Sequence, residues 1–182
     1  MAEPLTPLTL ARSPPLLTAS ELVQPSPSAT RFVLRGAQAV RAAASEAFAV
    51  ALPAEPCHAT QDGEHAALWL GPDEWLLLAP ATDTCAALAA SLAPLPHSLV
   101  DVSQRQSGFC VVGPEGPTLL SAGCPLDLDA GAFPVGMCTR TMCAKAEIVL
   151  WRVAPQVFRV EVWRSFASYL TQFLAEAARG MF

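Results

Sequence analysis

The sequence predicts an α+β fold: two consecutive strand–helix–hairpin–helix units whose strands form mixed sheets with helices packed on them. Three observations support this. Strand-like and helix-like apolar patterns follow one another twice in the same order, at a period of ~80 residues. Leu68-Trp69 and Leu150-Trp151 occupy matching places in the two halves. Hydrophobic residues make up 52% of the 182-residue chain and charged residues 15%, enough apolar material for a large core and a covered surface.

The first unit opens with a strand over Arg31-Phe32-Val33-Leu34-Arg35-Gly36 and an alanine-rich helix from Gln38 to Val50. His65 to Leu70 reads as a strand, Gly71-Pro72-Asp73-Glu74 as a turn, and Trp75 to Ala79 as the return strand. Thr82 is placed to cap a helix from Asp83 to Leu92 that buries Cys85, Leu88 and Leu92. His97 to Gln104 reads as a strand joining the two units.

The second unit begins with a strand from Gly108 to Gly113. Pro114 suits the first turn of the next helix and Gly123 its end. Strands follow over Ile148 to Arg152 and Gln156 to Trp163. In the latter, Phe158, Val160 and Val162 alternate with Arg159 and Glu161, which predicts one buried and one wet face. Ser165 is expected to cap the last helix, with Phe166, Tyr169, Leu170, Phe173, Leu174 and Ala177 as its apolar stripe. On that reading Phe173→Ala costs ~3–5 kcal/mol.

Ahead of these units lies a Pro-rich segment, 1–29, holding Pro4, Pro7, Pro14, Pro15, Pro25 and Pro27. Proline excludes a central strand or a long helix here. Its leucines leave two readings open, a flexible leader or an extended arm on a partner. The predicted organisation is therefore an extended arm over 1–29 and one domain over 30–182 with pseudo-repeats at about 30–96 and 105–180.

Composition excludes several functions. The net charge is -5 with no Lys/Arg cluster, against the basic footprint that nucleic acid or an anionic membrane surface requires. No apolar run reaches the length of a membrane-crossing helix. The six cysteines, at 57, 85, 110, 124, 138 and 143, are scattered through apolar segments, and the first residues lack a signal-peptide pattern. These features point to reduced, buried thiols in a cytoplasmic protein.

No dinucleotide fingerprint or phosphate-binding loop is present. Cys57-His58 and Cys138 with Cys143 lack the spacing of a zinc knuckle, so buried thiols outweigh a metal site. Cys110 and Cys124 have no neighbouring histidine to activate a nucleophile. Two polar segments stand out. In Asp101–Gly108, Asp101 and Ser103 are expected on one strand face opposite Val100 and Val102. Asp101 with Arg105 is placed either to anchor a small polar ligand or partner backbone, or to fix a strand crossing by an ion pair. In Gly136–Glu147, Arg140 is a candidate to meet an acidic group, and Lys145 and Glu147 are expected on one face of a strand. These six residues, Asp101, Ser103, Arg105, Arg140, Lys145 and Glu147, are the candidate interface or fold-fixing positions. No catalytic, cofactor-binding or metal-ligating residue is assigned.

Several separated blocks resemble one family. Leu99-Val-Asp-Val-Ser-Gln-Arg-Gln-Ser-Gly108, Leu119-Leu-Ser-Ala-Gly-Cys-Pro-Leu-Asp-Leu128, Phe133-Pro-Val-Gly-Met-Cys-Thr-Arg-Thr141, Ala144-Lys-Ala-Glu-Ile-Val-Leu-Trp151 and Val160-Glu-Val-Trp-Arg-Ser-Phe166 are similar to the gamma subunit of heterotetrameric sarcosine oxidase. The resemblance covers roughly 65–180 and leaves the Pro-rich start untouched. It implies a fold similar to the folate-binding domain of aminomethyltransferase. It also implies a non-catalytic subunit that supports assembly with alpha, beta and delta partners. The assembled enzyme would demethylate sarcosine oxidatively to glycine, giving hydrogen peroxide and formaldehyde or 5,10-methylene-tetrahydrofolate. FAD, FMN, NAD, zinc and tetrahydrofolate would all belong to the partner subunits. The alternative is a free-standing folate or one-carbon binding protein of the same fold, with Asp101 as the acidic group for a pterin.

Overall fold

The computed structural model describes residues 19–83 and 85–181. The start of the Pro-rich arm, 1–18, lies outside them, as do Thr84 and Phe182. In chain order the elements are α1 (Ala19–Leu22), β1 (Val23–Pro25), β2 (Ala29–Gly36), α2 (Gln38–Ala47), β3 (Ala59–Asp62), β4 (His65–Gly71) and β5 (Glu74–Pro80). They continue with α3 (Ala86–Leu92), β6 (His97–Asp101), β7 (Gln106–Val112), α4 (Gly116–Ser121), β8 (Cys138–Cys143), β9 (Ala146–Ala154), β10 (Val157–Trp163) and α5 (Arg164–Arg179). Two compact units result. Among the described residues, one spans 28–104 and the other 19–27 with 105–181.

The first unit is a five-stranded sheet in the order β3-β4-β5-β2-β6 with α2 and α3 against one face. Its core packs Phe32, Leu34, Trp75 and Leu77 against Val40, Ala44, Leu88 and Leu92. The other face of β4 and β5 is buried as well, at Ala66, Leu68, Leu76 and Leu78, which explains their unbroken apolar run.

Two helices differ from expectation. The first ends at Ala47 rather than Val50, because Ala49 turns left-handed (φ 57°). That reversal lets the Ser45 hydroxyl accept the Leu52 N–H at 2.9 Å and buries Phe48, Val50 and Leu52. The second begins at Ala86, and Thr82 does not cap it. The Asp83 carboxylate accepts the Cys85 N–H at 2.7 Å, and Cys85 itself is left-handed (φ 50°), so the chain enters the helix only afterwards.

The second unit is a five-stranded sheet in the order β1-β7-β10-β9-β8 with α4 and α5 on its core face. Phe109, Val111, Ile148, Leu150, Phe158, Val160 and Val162 meet Leu119, Leu120, Leu170 and Leu174 there. Pro117, not Pro114, sits in the first turn of α4. Trp163, not Ser165, is the N-cap of α5, and it offers no side-chain bond.

The alternation along β10 holds, but its second face is not wet. Glu161 is only 2% exposed and accepts Arg159 Nε at 2.8 Å. The ladder places Arg159 opposite Trp151 and Glu161 opposite Val149, both buried, so this central strand is covered on both sides. The two side chains neutralise each other on this covered face, although Arg159 Nη2 is buried with no hydrogen-bond partner among the described residues.

Both sheets are antiparallel throughout rather than mixed. Helix α2 after β2 and helix α4 after β7 each deliver the chain to the far sheet edge, β3 or β8, and not beside the strand just left. The repeat is also offset by one residue from the tryptophan match. Trp69 stands opposite Trp75, and Arg152 opposite Phe158, each just before a bulge at the hairpin end. Trp69 is thus equivalent to Arg152, and Trp151 to Leu68. A one-residue slip moves a side chain to the other face of a sheet.

Candidate functional site

The polar segment 101–108 divides between the units. Strand β6 ends at Asp101, so Asp101 and Ser103 do not alternate along one strand. Asp101 Oδ1 accepts the Ser103 N–H at 2.8 Å, closing a turn, and the Ser103 side chain, followed by that N–H, lowers the pKa of its carboxyl. The Ser103 hydroxyl accepts the Arg31 N–H at 2.8 Å, and the Val102 N–H donates to Arg31 O at 2.8 Å. Val102 is buried while Val100 is exposed, so those two do not share a buried face. Asp101 and Ser103 thereby tie the end of the first unit to the start of β2.

Arg105 does something different. Its guanidinium lies 5.2 Å above the Trp163 ring, and its carbonyl accepts the Arg164 N–H at 2.7 Å. Trp163 is 45% exposed, Phe166 40% and Tyr169 36%, three aromatic residues three positions apart where α5 begins. Arg164 is exposed among them. Helix α5 buries Leu170, Leu174 and Ala178 instead, with Ala167, Phe173 and Ala177 at the margin. Phe166 and Tyr169, expected in the core, face outward because Leu170, Leu174 and Ala178 form the buried line, with the small Ala167 beside it. A helix presenting alanines to its sheet can lie close to it, and its aromatics then fall outside.

The other segment forms the β8–β9 hairpin. Arg140 is on the edge strand β8, Glu147 lies opposite Met142, and Lys145 is in the turn between the strands, not on a strand face with Glu147. Ala144 makes that turn with φ 51°, and its N–H reaches Gly123 O at 2.8 Å. Arg140, Lys145 and Glu147 are exposed, as is Met142 at 42%.

Four of the thiols, Cys85, Cys110, Cys124 and Cys143, are poor nucleophiles. Burial, with the carboxylates of Asp83 and Asp101 adding to it, pushes Cys85 up to about 12. Cys143 is pushed up to about 11 by burial and the nearby Cys124. Burial raises Cys110 and Cys124 too. The reactive species is the thiolate, which such burial suppresses near neutral pH. A His65–Asp83 pair, Nε2 to Oδ2 at 2.9 Å, escaped the sequence reading because its members are eighteen residues apart. Cys85 meets Asp83 rather than His65, so no imidazole stands beside its sulfur to activate it. Among the described residues no group of three or more His, Cys, Asp or Glu is arranged to hold a metal ion, and no helix is long and apolar enough to cross a membrane.

What the geometry does offer is a surface. Arginine and large aromatics, exposed together, are the composition of protein–protein contact centres. The sequence offered parts of this patch separately, Arg105 as a candidate position and Trp163, Arg164 and Phe166 within the block Val160–Phe166; the signal that joins them is an apolar stripe on α5 too wide for one core face.

Known proteins resemble this chain over most of its length. Residues 35–180 match the model of the sarcosine oxidase, gamma subunit family. The sarcosine oxidase subunit gamma of Corynebacterium sp. (strain P-1) is 35% identical over 113 residues, covering 62% of this chain and 56% of that protein. The protein of the same description from Corynebacterium sp. (strain U-96) is 35% identical over 141 residues, covering 75% of this chain and 67% of that one. The chain thus spans little more than half of the first of these relatives. A chain of the heterotetrameric sarcosine oxidase from Corynebacterium sp. U-96 superposes with a TM-score of 0.83 at 29% identity, covering 91% of this chain and 88% of that one. Aminomethyltransferase T of Bartonella henselae shares the fold alone, at a TM-score of 0.64 and 13% identity. With the family model matched across both units, this chain belongs to the sarcosine oxidase gamma subunit family.

Proposed function

We propose that this chain is the non-catalytic gamma subunit of a cytoplasmic heterotetrameric sarcosine oxidase, and that it acts by seating on its alpha, beta and delta partners. The observation carrying the reading is the match over 91% of the chain to one chain of such an oxidase. The assembled enzyme demethylates sarcosine oxidatively to glycine, with hydrogen peroxide and either formaldehyde or 5,10-methylene-tetrahydrofolate as products. FAD, FMN, NAD, zinc and tetrahydrofolate are held by the partners. The surface of Arg105, Trp163, Arg164, Phe166 and Tyr169 is the seat: its aromatics supply apolar area, and its two arginines meet carboxylates on the partner's rim.

Co-expression of the tagged chain with candidate flavin subunits tests both levels. A yellow, stoichiometric complex that consumes oxygen with sarcosine is expected, and a colourless chain that retains none of those subunits would sink the proposal. Trp163→Glu with Phe166→Glu is expected to abolish co-purification while the isolated chain keeps its far-UV spectrum. Undiminished assembly of that double variant would move the seat elsewhere and leave the subunit reading standing.

A further inference from the structure

The fifth strands of the two sheets reach equivalent places from opposite directions along the chain. In the first unit Leu34 pairs with Trp75 on one side and Leu99 on the other. In the second, Val111 pairs with Phe158 on one side and Val23 on the other. Phe32 lies between Leu77 and Asp101, and Phe109 lies between Val160 and Pro25. Since Trp75 and Phe158 hold the same hairpin position, Val23 is equivalent to Leu99 and Pro25 to Asp101. The match continues past the strands: Val102 N–H donates to Arg31 O at 2.8 Å, and Ser26 N–H donates to Gly108 O at 3.3 Å.

β6 is delivered by the helix just before it, through residues 93–96. Nothing after α5 delivers the equivalent strand among the described residues; β1 comes instead from ahead of the first unit. It is anchored firmly for so short a piece. Leu22 is fully buried in the second core, Val23 packs at its margin, and α1 rests on α5. Pro25 has no N–H to give, which an edge strand tolerates. The connection to β2 at Pro27 and Ser28 is exposed.

We infer that the second unit carries a strand-acceptor site, made by the edge of β7 turned away from β10 and the flank of α5, and that its ligand is the chain's own segment 19–26. Ladder bonds and the buried leucine hold the segment, so occupancy does not depend on the peptide link at 27–28. This is strand addition to a sheet edge, with Leu22 as the side chain that makes it specific.

The test cuts that link. A protease site is inserted between Pro27 and Ser28 of the full chain, the protein is cleaved, and the products are run on native gel filtration. The 1–27 fragment is expected to co-elute with 28–182. In a Leu22→Asp variant it is expected to separate, since a carboxylate in that pocket weakens retention by more than ~10-fold. Release of the wild-type fragment overturns the inference, and so does retention of the Leu22→Asp fragment. A circular permutant, 28–182 followed directly by 1–27, checks the same idea without a dissociation step. It is expected to keep the wild-type far-UV spectrum and to melt within ~5 °C of the parent; an unfolded permutant overturns the inference.

Discussion

The two units use one strand plan but anchor their long connections differently. In the first, the connection from α2 to β3 is held by Trp75, whose indole N–H donates to Pro53 O at 2.8 Å. In the second, the connection from α4 to β8 is held by Arg152, which donates to Leu128 O at 3.3 Å and to Phe133 O at 2.8 Å, while its other terminal nitrogen donates to Pro155 O, in the β9–β10 turn, at 2.7 Å. The anchors come from neighbouring places, because Arg152 stands opposite Phe158, the equivalent of Trp75. Its guanidinium also lies 4.9 Å above the Phe158 ring. Separate side chains secure the shorter connection, the Trp75 indole at Pro53 O and the Thr60 hydroxyl at Ala51 O. The longer one, spanning 122–137, is held at two carbonyls by one side chain, and a guanidinium is such a fork.

The largest effect should come from removing that fork. Arg152→Met keeps much of the volume but strands buried carbonyls, and is expected to cost ~3–5 kcal/mol in denaturant melts. Trp75→Phe, which frees one carbonyl, is expected to cost ~1–2 kcal/mol. Equal costs would show that the two anchors do the same amount of work, and the contrast between the units would fail.

A second contrast concerns close approach. A Cβ on Gly123 would lie 2.7 Å from the Phe173 ring and 2.9 Å from Ala144 N, whereas one on the exposed Gly63 would touch nothing. Gly123→Ala is expected to cost ~2 kcal/mol by overpacking. Phe173 is only half-buried, so Phe173→Ala is expected to cost ~2 kcal/mol, below what a place in the buried stripe implied. The double variant should cost less than the sum, since removing the ring leaves room for the new methyl. Strict additivity would mean that the Ala144 backbone, not the ring, sets the limit at Gly123. Gly63→Ala, at φ 55°, is strained only by its backbone, and ~1 kcal/mol is expected.

Inner strands were legible because burial writes itself into sequence: β2, β4, β5, β7, β9 and β10 are apolar runs or clean alternations. The edge strands β3 and β8 were not, since Ala59–Asp62 and Cys138–Cys143 have one neighbour each and carry threonine, glutamine and arginine. β1 was hidden for a different reason: three residues ending in proline pair with a strand more than eighty residues away, and no local pattern encodes such a partner. The repeat was visible, yet its register was misjudged by one, because the tryptophans are conspicuous and the bulges that set the register are silent in sequence. Of the six candidate positions, only Arg105 meets the aromatic patch. The turn at Asp101 and Ser103 was legible as polar chemistry but not as backbone fastening, since Arg31 is distant in sequence. The outward turn of Phe166 and Tyr169 depends on which line of α5 is buried, here Leu170, Leu174 and Ala178, which periodicity leaves ambiguous by about one helical position.

The smallest effect separates the units by pH. The first unit alone pairs a histidine with an acid, and the His65 bond, followed by the Cys85 N–H, lowers the Asp83 carboxyl below 3.8. A carboxylate with a lowered folded pKa adds stability above its unfolded value, and loses it as pH falls through the folded one. Asp83→Asn should therefore reduce stability at pH 7, and the gap should narrow as pH falls below 3.8. Because the side chain is 36% exposed, screening holds the effect to about 0.5 kcal/mol. Hydrogen exchange should report the loss in α3 and β4 while β7, β9 and β10 keep their protection. A loss spread equally over both sheets would mean that this pair stabilises the chain as a whole rather than the unit that contains it.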